Sequence, residues 1–431
     1  MLLVYIEHPS PRTAYVVRHV FERMLGWRVA VTSSPEEFRS ASGPKLGYTT
    51  EPIECAYHVP VSGALQQGDP PIHAPVYGRR RNMTVLYPMP HDGFDVFASI
   101  FHLLSLAEEY SIQAKDDHGR IPASALSLVS NKLEGTPVVD HWVLWLANDL
   151  RAMFTELPPP ARSYRHVLSV DVDNGLKYAA RSWYRTLGAA GRDLIGGRGQ
   201  QFKARSRVVI GAEPDPFLRV PEQLAAVRRS VDRCIAFFLM RGERPNDHAA
   251  RPAHPLFKAL VRDLRKHAEL GLHPSYESSQ QPERIRMERE LLSAIAVQPV
   301  DLSRQHFLRW SLPATLRELV QLGFTEDHTL GFSDRPGFRA GTCTPFPWYD
   351  RERDAETPLM LWPFACMDSA LHEQLGLAPD AALDEFKRMA NTVRAVNGTF
   401  VSVWHDRYLS GDAPHEGWPE VMKKLVEHAR S

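Results

Sequence analysis

The chain is predicted to be α/β throughout, a smaller α/β domain (residues 1–157) followed by a closed barrel of strand–helix units (residues 165–431). Three observations carry this. The length, 431 residues, exceeds one ordinary domain. The run Pro158-Pro159-Pro160 favours extended backbone and marks a linker. Beyond it, seven short apolar runs alternate with helical stretches, the pattern of a parallel sheet buried on both faces. Seven units fit a closed barrel better than an open sheet.

In the first part, Leu2–Ile6 reads as a strand, Thr13–Trp27 as an amphipathic helix and Arg28–Thr32 as a second strand. Proline and glycine make Val61–Tyr77 loop-like. Phe94–Tyr110 and Val139–Leu150 carry apolar residues at helical spacing. In the second part the apolar runs are His166–Val172, Cys234–Met240, Leu270–His273, His306–Trp310, His328–Phe332, Leu359–Phe364 and Thr399–Trp404. The intervening helices are expected at Glu222–Arg233, Pro255–Glu269, Arg284–Ile295, Pro313–Leu322 and Ala381–Val396.

Composition excludes several classes. Fifty-one basic residues balance 51 acidic ones, and no basic block is interleaved with aromatics, so no nucleic-acid partner is expected. Arg79-Arg80-Arg81 reads as a solvated turn. Cys55, Cys234, Cys343 and Cys366 are scattered, which argues against a disulfide framework or a zinc ribbon. The opening Met-Leu-Leu-Val-Tyr-Ile-Glu-His reads as a strand rather than a signal peptide. No apolar run reaches the roughly 18 residues that span a bilayer. A cytoplasmic protein without a membrane span is the expectation; the oligomeric state is left open.

Polar residues cluster where the apolar runs end. Asp171 and Asp173 close the first, His273, Ser275 and Glu277 the third, and Arg304, His306 and Arg309 surround the fourth. Asp334 and Arg339 follow the fifth, and His405 and Asp406 close the last. In a strand–helix barrel all these positions open onto one face. Two carboxylates one residue apart point the same way, and either bind a cation together or divide into ligand and base. With His273 they form the mixed oxygen and nitrogen set that suits zinc or a similar divalent ion. His405 can give a proton to a leaving group near neutral pH. The plainer readings are a capped helix for the aspartates and packed core histidines for the other two. His91, Asp92, Glu108 and Glu109 of the first domain read as helix caps and solvated groups.

The order Asp-x-Asp, His-x-Ser, Arg-x-His-Phe and Trp-His-Asp resembles the polysaccharide deacetylase family, the NodB-homology carbohydrate esterases. That resemblance implies a distorted (β/α)7 barrel. The family's Thr-Phe-Asp-Asp-Gly is met by Asp171-Val172-Asp173-Asn174-Gly175. Aligning the glycines puts Asp173 on the general base and Asn174 on the metal-binding aspartate; a shifted match lets Asp171 and Asp173 share the two tasks. The family's His-Ser/Thr-x-x-His is met by His273-Pro274-Ser275-Tyr276-Glu277, with Glu277 in the second histidine's place and His306 as a replacement ligand. Arg304-Gln305-His306-Phe307 answers Arg-x-Pro-Tyr, and Val403-Trp404-His405 ends in the family's general acid. The segments GLHPSYES, SRQHFLRW, LGFSDRPGFRAGTCTPFPWYD and FVSVWHD, after an N-terminal FDVFASIFHLLSLAEEY and DDHGRIPASAL, resemble a divergent bacterial branch from about Phe94 onward.

The implied activity is metal-dependent removal of an N- or O-linked acetyl group from a carbohydrate, in bacterial polysaccharide or glycolipid metabolism. Asp171, Asp173, His273, Glu277 and His306 are the candidate ligands of a divalent ion, zinc by preference. Asp173, Asp171, His405 and Arg304 are the candidate catalytic groups. Ser275, Asp334, Arg339, Trp348 and Trp404 are expected to bind substrate, the tryptophans by stacking on sugar rings. Two other readings stay open: a retired barrel that binds a glycan or a partner, and a hydrolase of non-sugar amides.

Overall fold

The computed structural model describes residues 1–65, 75–81, 83–90, 93–181, 183–242 and 245–430. Part of the loop-like stretch at 61–77, with His91 and Asp92, therefore lies outside the described residues. The chain is mixed α/β and divides into two compact units. The first is Met1–Tyr164 with Gly337–Pro363 and Thr392–Thr399. The second is Arg165–Pro336 with Phe364–Asn391 and Phe400–Ser431. No described helix is long and apolar enough to cross a membrane.

In the first unit, β1 (Leu2–Ile6), β2 (Val29–Thr32), β3 (Lys45–Thr49) and β4 (Tyr57–Pro60) form a parallel sheet in the order β2-β1-β3-β4. The helix Pro11–Arg18 starts where Ser10 and Thr13 cap each other reciprocally, and continues as a π-helical turn, His19–Met24. Val96–Leu104 is buried along its whole length, and its cap Asp95 accepts from the Ala98 amide at 2.9 Å and from the Tyr48 hydroxyl at 2.9 Å. Tyr15 donates to the Pro347 carbonyl at 2.8 Å. That carbonyl belongs to an antiparallel hairpin, Phe346–Asp350 with Ala355–Leu361. The buried Asp140, on the helix Val138–Met153, takes hydrogen bonds from Arg162 at 2.6 Å, Thr344 at 2.5 Å, Thr342 at 2.7 Å and the Cys343 amide at 3.1 Å.

Among the described residues the second unit is built on seven strands: β5 (Arg165–Val172), β6 (Arg233–Leu239), β7 (Glu269–His273), β8 (Leu302–Ser303), β9 (Glu326–Asp327), β10 (Cys366–Met367) and β11 (Thr399–His405). Their order is β9-β8-β7-β6-β5-β11-β10. Each of β6 to β9 runs parallel to the strand before it, and β10 runs parallel to β11. β5, β6 and β11 are buried on both faces, in keeping with their predominantly apolar sequences.

Three expected strands move. His306–Leu308 is a 3₁₀ turn with Phe307 at φ 58°, and the strand lies earlier, at β8. β9 likewise precedes His328. Leu359–Phe364 falls partly in the first unit's hairpin, and the parallel strand is β10. A two-residue strand is too short to print an alternation, so the neighbouring apolar residues, which pack as loops, draw the expectation away.

Two buried histidines make the fold acid-sensitive. Burial pushes His19 down to about 3, with neither ring nitrogen hydrogen-bonded, and pushes His166 down to about 3 as well. Unfolded histidine takes up a proton below about pH 6.5, whereas these two resist it. Their contribution is complete above that pH and falls by about 1.4 kcal/mol per pH unit for each as pH drops toward 3. Urea unfolding at pH 7 and pH 5 is expected to show a loss of about 2 kcal/mol per histidine. His19→Phe should flatten the dependence; an unchanged slope would remove His19 from the account.

Candidate metal and acid–base site

β5 delivers Asp171 from its last turn of chain and Asp173 just beyond its end. The turn after them needs Gly175, whose φ is +68° and where a Cβ would lie 2.8 Å from the Phe257 ring. Asp406 holds this turn, accepting from the Asn174 amide at 2.9 Å and the Gly175 amide at 2.7 Å. Burial, followed by the nearby Asp173 charge, raises Asp406 to about 6.

The two aspartates have different surroundings. Asp171 is held by Arg304, whose Nη1 donates at 2.8 Å while Nη2 donates to Ser169 at 2.9 Å. This guanidinium is wholly buried and lies over the Phe237 ring. Asp173 instead faces histidines. Its Oδ1 stands 3.4 Å from His273 Nε2 and 3.7 Å from His306 Nε2, and is buried without a hydrogen-bond partner. Donor atoms of these three residues lie within 4.8 Å of one another. Burial works to raise Asp173, but His273, His306 and His405 outweigh it and hold the carboxyl well below its usual range.

Each of the two histidines is oriented through its other nitrogen. His273 Nδ1 meets the Arg304 carbonyl at 2.5 Å, and His306 Nδ1 meets Asp247 at 3.1 Å. Both Nε2 atoms are thereby turned toward Asp173, the outer support a metal-binding imidazole needs. An unpartnered buried carboxylate oxygen between two such imidazoles fits a divalent ion of the zinc type.

His405, at the end of β11, faces the same group with Nε2 4.0 Å from Asp173 Oδ2. Its Nδ1 sits 2.6 Å from Asp368, which also accepts the His405 amide at 2.7 Å. Burial lowers the imidazole, but the Asp368 carboxylate overcomes this and lifts it to about 9. Arg407 donates to Asp173 Oδ2 at 3.0 Å.

The structure thus brings Asp171, Asp173, His273, Arg304, His306 and His405 together. It does not bring Glu277, which pairs with Arg284 on the turn leading into the next helix. Asp171 stands outside the three-donor group, with one oxygen on Arg304 and the other 3.9 Å from His273 Nε2. Ser275 is buried and spends its hydroxyl on Glu288 at 2.5 Å. Asp334 lies beside Arg335 at 3.0 Å. Trp404 is fully buried, stacked on Phe386 at 4.7 Å, so it packs and presents no face to a sugar. Trp348 and Arg339 belong to the first unit, where Trp348 is fully buried and Arg339 pairs with Glu109 at 2.7 Å. A first-unit cavity of about 500 Å³, bordered by Tyr57, Arg80, Trp142, Trp145 and Asp149, contains none of the candidates.

Asp247, Asp368 and Arg407 went unseen in the sequence. Asp368 directly follows β10 and obeys the strand-end rule, but that strand was sought a few residues earlier. Asp247 sits in a loop with no periodic pattern to single it out.

Residues 2–155 match a family of unknown function, DUF7033. No curated protein matches the chain. Among solved structures, it is similar to a Mycobacterium smegmatis protein whose assignment as a polysaccharide deacetylase is provisional: 16% identity over 63% of this chain and 86% of the other, TM-score 0.42. The Puue allantoinase is 12% identical over 64% and 88%, TM-score 0.37. The polysaccharide deacetylase Bc1974 from Bacillus cereus is 12% identical over 62% and 86%, TM-score 0.30.

Proposed function

We propose that the second unit is a (β/α)7 barrel of the polysaccharide deacetylase type, and that it removes acetyl groups from a carbohydrate with the help of a divalent ion, zinc by preference. The single observation that carries this is the cluster itself: a buried carboxylate oxygen with no hydrogen-bond partner, faced by two oriented imidazoles, next to a second carboxylate and an acid imidazole. Seven strands in the second unit accord with the barrel.

Asp173, His273 and His306 would hold the ion, which polarises an acyl oxygen and acidifies water when bound. Arg304 donates to one oxygen of Asp171 and holds its carboxyl beside the cluster, and Asp171 is the group proposed to take a proton from attacking water. On this reading Asp173 is the ligand and Asp171 the base. His405, kept protonated by Asp368, gives its Nε2 proton to the departing amine or alkoxide. Arg304 itself is too deeply buried to touch substrate and acts by positioning Asp171.

The test is deacetylation of N- and O-acetylated sugars with added zinc, comparing wild type with His405→Ala. Loss of an acid group is expected to slow turnover by on the order of 10²–10⁴ with substrate affinity nearly intact. A folded variant with unchanged turnover would remove His405 from the mechanism. Wild-type protein that binds acetylated sugars without cleaving them would favour the retired barrel.

A further inference from the structure

The helix Trp183–Ile195 is amphipathic the wrong way round for water. Its one acidic residue, Asp193, is buried and pairs with Arg205 at 2.9 Å on the next helix, Gly199–Val209. The apolar side chains face out: Trp183 is 74% exposed, Leu187 63%, Leu194 60% and Ile195 92%. At ~100° per residue these four and the exposed Tyr184 occupy an arc of about 120°. The second helix ends in Val209 and Ile210, exposed by 51% and 76%. Gly188 and Gly191 lie in or beside the same arc, and a Cβ at either would meet nothing. The face is open rather than grooved.

The charge around it says what covers it. From Arg181 to Ile210 there are seven basic residues and one acidic one, in a chain whose net charge is zero. Arg192, Arg198, Lys203 and Arg207 are exposed. An apolar stripe with Trp and Tyr at one end, bordered by cations, matches the acyl–headgroup boundary of an anionic bilayer. We infer that this helical hairpin docks the protein on an anionic membrane surface, with Trp183, Leu187, Leu194 and Ile195 in the interface and the arginines and lysine on the headgroups. This goes beyond the proposed hydrolysis and does not depend on it.

The test is co-sedimentation of the full-length protein with sucrose-loaded vesicles of phosphatidylcholine, with and without phosphatidylglycerol. Binding is expected to the anionic vesicles, weakened about fivefold for each cation removed and largely lost at an ionic strength on the order of 1 M. Leu187→Ser combined with Leu194→Ser and Ile195→Ser should weaken binding about 100-fold with an unchanged Tm, because all three side chains are exposed. Gly188→Leu, which widens the stripe, should tighten it several-fold. Wild-type protein that stays in the supernatant, or a Gly188→Leu variant that binds no better, overturns the inference. A dimer in solution that the triple variant converts to monomer, with vesicle binding unaltered, assigns the face to a second copy instead.

Discussion

Under the proposed function, Asp173→Ala is expected to abolish both zinc binding and deacetylation. The carboxylate lies at the meeting point of His273, His306, His405 and Arg407. Removing it leaves two imidazoles, fewer than the three protein ligands a catalytic zinc site needs. Titration of purified protein with zinc, read by calorimetry, should fall from one site to none, and turnover should drop by at least about 10⁴. Asp173→Asn keeps the volume and loses the charge, so it separates the ligand from mere packing. Stoichiometric zinc in both variants would sink the assignment.

Asp140→Ala is expected to cost about 3–5 kcal/mol of stability, because it strands the buried Arg162 guanidinium. Burial works to raise the Asp140 carboxyl, yet Arg162 and the hydroxyls of Thr344 and Thr342 hold it below its usual value. Losing it also strands those hydroxyls and the Cys343 amide. Denaturant unfolding measures the loss, and Asp140→Ala with Arg162→Met should recover part of it. A loss under about 1 kcal/mol would mean that water reaches this pair.

Long strands were legible in the sequence and short ones were not. Arg165–Val172, Arg233–Leu239 and Thr399–His405 are each predominantly apolar, and their observed ends lie within a residue of the expected ones. Glu326–Asp327 is a strand of two acidic residues, which no hydrophobic pattern announces. The helix Trp183–Ile195 was missed although its apolar residues recur at helical spacing; Gly188 and Gly191 inside it are poor helix formers. The same contrast runs through the cluster. Asp171, His273 and His405 end long strands and stand out as polar residues after apolar runs. Arg304 and His306 were picked out by spacing, but the roles of Asp247 and Asp368 depend on contacts 59 and 37 residues distant in sequence. Trp404 misled because strand position alone does not say which face of the sheet an indole enters.

The composition of the first unit has a consequence for how the protein is made. Asp140 waits for Thr342, 202 residues further along the chain, and Arg162 for the Val396 carbonyl, 234 residues further. At the ~5–20 residues per second of a working ribosome, that is an interval of about 10–45 s in which the emerging N-terminal segment lacks its partners. Its completion is therefore tied to the emergence of Thr342 and Val396 rather than to the passage of residue 164. A nascent chain paused before Thr342 would leave Asp140 and Arg162 with each other but without their remaining partners, and would be the form that chaperones and proteases meet first.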